Sequence, residues 1–139
     1  MKFTSRFVAL ALSLAVLPGE MSARPPSRAI KPVIVGAEAE LNGCTSIGHG
    51  KVALTVRAAP APAARVISTL GKTHLVWICE QREGSKWLGI VYGPAAISHR
   101  PTGVPPACGV DAPIASPRPY RGRCRSGWVR SAAVVTIAG

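Results

Sequence analysis

A chain of 139 residues with 17 Lys/Arg against six Asp/Glu carries a formal net charge of +11. That balance favours anionic partners such as nucleic acid, anionic lipid, lipopolysaccharide or cell-wall polymer, and leaves few carboxylates for paired-acid catalysis. The length suits one domain burying roughly two-thirds of its unfolded surface and excludes two comfortable cores.

The chain opens on a short basic stretch, Met1 to Arg6, charged through Lys2 and Arg6. Phe7 to Leu17 then runs for eleven residues without a charge. This is too short to cross a bilayer, which takes ~20 residues, but it has the length of a signal-peptide core. Pro18-Gly19 ends the run, and a small residue for cleavage follows at Ala23, with Gly19 as the alternative. A signal peptide is therefore expected over 1–23. Its removal takes away Lys2, Arg6 and Glu20, so that 116 residues remain with 15 Lys/Arg against five Asp/Glu, a formal +10. The expected location is periplasmic or secreted, which argues against a nucleic-acid partner. No stable transmembrane segment is expected after cleavage.

Residues 24–43 combine Pro25, Pro26 and Pro32 with an apolar stretch at Val33 to Val35, and read as a flexible segment that ends in an edge strand. From Lys51 the pattern changes. KVALTVR places Val52, Leu54 and Val56 on one face, the period-two mark of a half-buried strand. Ala58 to Ala64 forms a loop inside the domain, because the β-branched run from Val66 follows at once and is bounded by Gly71. His74 to Tyr92 reads as an antiparallel hairpin turning at Arg82 to Ser85, with Gly93 closing it. The next segment is rich in Pro, Gly and Ser, and no regular helix or central strand is expected in it. Gly127 to Val129 and Val134 to Ile137 give one or two final short strands. No helix of ordinary length is evident after Ala23.

All four cysteines, Cys44, Cys79, Cys108 and Cys124, lie in the exported part. An even count in an oxidising compartment reads as two disulfides, with three possible connectivities. Loop closure favours Cys44 with Cys79 and Cys108 with Cys124. Closing the second loop contributes about 3 kcal/mol on the chain-entropy estimate. It also makes the long irregular segment tolerable, since unbridged loops beyond ~12–15 residues are uncommon. With no Cys-x-x-Cys knuckle, neither a metal nor another cofactor is expected.

Three blocks, LTVRAAPAPAARVISTL, LVWICEQREGSKWLGIVYG and SGWVRSAAVV, resemble the bacterial SH3 domain. Leu54, Val56, Arg57, Pro60, Val66, Ile67 and Leu70 fall on that family's first block, Trp87 and Ile90 on its hairpin, and Gly127, Trp128 and Val129 on its closing Gly-Trp-Val. Order and spacing agree up to Tyr92. Thr55 stands where the family has Asn, and Ala58-Ala59 where it has Ser-Gly, so the turn after Arg57 has to be made without glycine. Residues 93–126 replace a short hairpin and carry two of the cysteines. The cysteine surroundings resemble an exported, stand-alone subgroup of the family. The resemblance implies an all-β fold over 44–139: a small SH3-like barrel of five or six short strands with a long disulfide-closed insertion.

Trp87 and Trp128 are expected in the core of that barrel. Trp77 alternates with Ile78, so one of the two should face outward, and Trp77 and Tyr92 become candidate ligand contacts. Tyr120 stands among Arg118, Arg121, Arg123 and Arg125, and an aromatic ring beside guanidinium groups suits an anionic or sugar-like ligand. The candidate binding residues are thus Arg57, Trp77, Tyr92, Tyr120, Arg121, Arg123 and Arg125. The competing reading of the arginine-rich loop is a solvated segment that keeps the protein soluble.

Catalytic patterns are weak. His49, His74 and His99 would need a free thiolate that disulfide pairing removes. Gly71-Lys72-Thr73 imitates a phosphate-binding loop, but Val66 occupies the place of its first glycine. A non-enzymatic, monomeric binding domain is expected. The resemblance implies a ligand in the cell wall (peptidoglycan) or a peptide. The alternatives are capture or inhibition of an exported protein partner by the inserted loop, or electrostatic binding to anionic envelope polymers.

Overall fold

The computed structural model describes residues 19, 28–36, 44, 46–82, 84–94, 105 and 107–138. Apart from Gly19, the expected signal peptide lies outside them. Among these residues nine strands form: β1 (Ile34–Val35), β2 (Ser46–Gly50), β3 (Leu54–Arg57), β4 (Val66–Leu70), β5 (Val76–Arg82), β6 (Trp87–Tyr92), β7 (Arg118–Pro119), β8 (Arg125–Arg130) and β9 (Val134–Ala138). The helical structure among the described residues is one 3₁₀ turn, Ser131–Ala133. None of them forms a helix long and apolar enough to cross a membrane.

Seven strands make one antiparallel sheet in the order β4-β3-β8-β6-β5-β2-β9, and β1 pairs with β7 in a separate two-stranded ribbon. The hairpin expected at 74–92 forms as β5 and β6, whose turn puts Gly84 and Ser85 in the left-handed region. The sheet is not closed, since β4 and β9 are its two edges. It is nevertheless curled. Leu54 of β3, Leu70 of β4, Ile78 of β5, Ile90 of β6, Val129 of β8 and Val134 of β9 share one buried cluster, so both edges contribute to the same core. The Lys51 N–H bonded to the Ala133 carbonyl at 2.8 Å extends the β2–β9 pairing beyond Gly50 and Val134.

Alternate side chains of a strand point to opposite faces, and here both faces are covered. Val76, Ile78, Leu88, Ile90 and Tyr92 point into the curl. Trp77, Cys79, Trp87, Val91 and Trp128 point the other way, into a second core completed by Val33 and Val35 of the N-terminal segment and by Cys108, Val110 and Ile114 of the insertion. Trp87 and Trp128 are buried as expected, but in this outer core and not inside the curl. Two expectations are corrected by the double cover. Trp77 is 6% exposed beneath the outer layer, and Tyr92 is 2% exposed in the inner core. Neither ring is a surface contact. Val52, expected to face inward with Leu54, precedes the strand and is 61% exposed.

The N-terminal segment lies across the outer face as a strap. The Lys31 N–H donates to the Ala58 carbonyl, and the Trp128 indole Nε1–H donates to the Lys31 carbonyl at 2.7 Å. The Tyr120 N–H donates to the Val33 carbonyl, and the Ile34 N–H to the buried Glu80 carboxylate at 2.8 Å. Glu80 also pairs with Arg82. Over 31–36, therefore, the segment expected to be a flexible tether is part of the packed domain. Beneath it Gly89 has no side chain because there is no room for one: a Cβ there would lie 2.9 Å from Val33 Cγ1 and 3.3 Å from Trp128 Cζ3.

Candidate binding cleft

Both expected disulfides form, Cys44–Cys79 and Cys108–Cys124, so all four cysteines are paired and none supplies a thiolate nucleophile. Cys44–Cys79 pins the end of the N-terminal segment to β5, and the Cys44 N–H donates to the Val110 carbonyl. Val110 and Ile114 are buried against the outer core, which lays the insertion over the sheet. Cys108–Cys124 then closes the loop at its base.

Tyr120 holds this loop from within. Its hydroxyl donates to the Cys108 carbonyl at 2.9 Å and accepts the Cys124 N–H at 3.1 Å, joining the two backbone ends that the disulfide also joins. Gly122 gives the ring its space, since a Cβ there would fall 2.3 Å from the tyrosine oxygen. The ribbon of β1 and β7 pairs Val35 with Arg118 and Ile34 with Pro119, which fixes the other side of the same region.

Between these parts lies a cleft of about 550 Å³. Arg118, Pro119, Tyr120 and Arg121 line it from one segment, Cys108, Gly109 and Val110 from the other, with Val35 of the strap. Among the described residues its lining contains two guanidinium groups and no carboxylate. Arg118 and Arg121 are exposed and have no ion-pair partner among the described residues.

Of the residues expected to bind ligand, the structure brings Tyr120 and Arg121 together in this cleft. Arg123 and Arg125 are exposed on the same segment but do not line it. Arg57 is elsewhere. Half-buried, it donates from Nη1 to the Ala64 carbonyl at 2.8 Å and so fixes the Ala58 to Ala64 loop. That loop is made without any left-handed residue, on hydrogen bonds from the Ala58, Ala61 and Ala64 N–H groups to Arg65, Ala59 and Ala61. Arg57 also borders a smaller cleft, of about 280 Å³, with Pro62 and Arg130. Arg118 belongs to the larger cleft and was visible only as one arginine among four. Gly109, Val110 and Val35 carry no chemical signal in the sequence and reach the cleft through the fold of the insertion alone.

Among the described residues no three His, Cys, Asp or Glu side chains gather into a metal-binding group. No family model, curated protein or solved structure matches the chain.

Proposed function

We propose that this chain is an exported SH3-like binding domain without chemistry of its own, and that it holds a cell-wall or peptide ligand on its disulfide-closed insertion. The observation that carries the reading is the preformed cleft in that insertion, walled by Tyr120 and carrying Arg118 and Arg121. Both faces of the sheet are occupied by packing, so recognition falls to the added layer. The β5–β6 hairpin and the Gly127-Trp128-Val129 strand beside it support the SH3-like assignment. Two disulfides suit an oxidising compartment, periplasm or medium.

Protein purified after export should co-sediment with isolated sacculi, and should still do so at moderate salt. Failure to pellet would overturn the wall ligand. A second reading, electrostatic adhesion to anionic envelope polymers, is favoured by thirteen Lys/Arg against Glu80 and Asp111 among the described residues. Binding would then collapse as added salt shortens the Debye length to ~8 Å and below. Pelleting that survives such salt rejects adhesion by charge alone.

A further inference from the structure

We infer that the insertion cleft takes the free C-terminal carboxylate of a short, apolar-ended peptide, with Arg118 and Arg121 as the groups that bind it. The inference rests on the proposal above that the domain acts by binding, and it names the ligand chemistry of that site.

Size is the first argument. A cleft of about 550 Å³ lies within the range of small-ligand sites, ~300–1,000 Å³, and is ample for a chain end. Charge is the second. Among the described residues, Arg118 and Arg121 line the cleft with no carboxylate in its lining and no ion-pair partner, which leaves their charge to an incoming anion. A guanidinium presents a planar fork that matches a carboxylate in two parallel hydrogen bonds.

The other walls narrow the choice of anion. Val35, Val110, Pro119 and Cys108 are apolar and adjoin the arginines. They suit an aliphatic side chain next to the carboxylate, and a phosphate polymer would leave them unused. Tyr120 argues against a sugar. Its hydroxyl already donates to Cys108 and accepts from Cys124, so the ring has a face to offer but no donor for ligand hydroxyls. The same two bonds, the disulfide and the β1–β7 pairing hold the cleft in shape before any ligand arrives, which lowers the ordering cost of binding.

The test is a calorimetric titration of the exported protein with the acetylated tripeptide Ac-Ala-Val-Val as free acid, with the same peptide as its C-terminal amide, and with inorganic phosphate. The acid should bind at least about tenfold tighter than the amide, the scale of a hydrogen-bonded charge. Arg118→Gln and Arg121→Gln should each weaken the acid about tenfold or more, whereas Arg123→Gln, outside the lining, should leave it unchanged. Arg118→Lys, which keeps the charge but not the fork, should fall between. Matched melting curves confirm that each variant is folded. No binding of the acid, equal binding of acid and amide, or displacement of the peptide by phosphate at comparable concentration would overturn the inference. Protein that pellets with sacculi yet fails these tests keeps the proposed function and loses this ligand. Protein that binds the acid without pelleting keeps this ligand and loses the wall.

Discussion

The hydroxyl of Tyr120 bridges the Cys108 carbonyl and the Cys124 N–H, whereas that of Tyr92 is buried with no hydrogen-bond partner among the described residues. Removing one oxygen from each should therefore have opposite outcomes. Tyr120→Phe leaves two backbone groups unpaired and should lower stability by about 1–3 kcal/mol, read as a fall in the urea midpoint. Tyr92→Phe deletes an unpaired buried group and should leave the midpoint unchanged or raise it by up to about 1 kcal/mol. Equal losses in the two variants would show that ring packing, and not the hydroxyls, dominates. Both tyrosines stood as candidate ligand contacts in the sequence, Tyr92 as an outward residue of the hairpin and Tyr120 for the arginines around it. What separates them is the curl of the sheet, which buries Tyr92 in the inner core and which no local pattern announces.

At the scale of elements, the strap and β6 are cut to fit one another, Val33 occupying the space that a side chain at Gly89 would need. Gly89→Ala should cost about 1–3 kcal/mol by overpacking. Val33→Ala should cost about 1–3 kcal/mol through lost burial. The double variant should lose less than the two losses added together, with a coupling of about 0.5–3 kcal/mol, because each change relieves the other. Strict additivity in denaturant titrations would mean that the strap does not press on Gly89. Much of the sheet was legible: the β5–β6 hairpin from its alternation and turn residues, β8 and β9 from their apolar runs. β2 was missed, and its composition explains why. Ser46 to Gly50 offers little apolar alternation, and Gly48 has to be glycine because a Cβ would sit 2.8 Å from the Val135 carbonyl oxygen. The strap's valines were visible, but not their partners, since a buried Glu80 and an indole N–H read as ordinary strand residues. Arg121 and Tyr120 of the cleft stood out through the density of arginine around them, while the glycine and valine opposite contribute only shape.

For the molecule as a whole, the two disulfides have different tasks. Cys44–Cys79 joins residues 35 apart and holds the N-terminal segment to the main sheet, worth about 4 kcal/mol on the chain-entropy estimate. Cys108–Cys124 spans 16 residues at the base of the insertion, for about 3 kcal/mol. Replacing Cys108 and Cys124 together by Ser should leave a folded β protein by circular dichroism while peptide binding in the cleft is lost. Loss of the sheet signal along with the binding would instead make the insertion an integral support of the main fold.

The indole of Trp128 is bonded to Lys31, 97 positions earlier in the chain. A link of that span cannot form until nearly the whole polypeptide is present, and it follows the slow arithmetic of distant contacts. During synthesis, which runs from the N-terminus, the strap exists long before the surface it covers. Trp77 and Trp87 are left with an uncovered flank until β8 arrives. Closure of the Lys31–Trp128 contact therefore waits for β8 to emerge, and until then this part of the strap lacks the indole that its carbonyl accepts from.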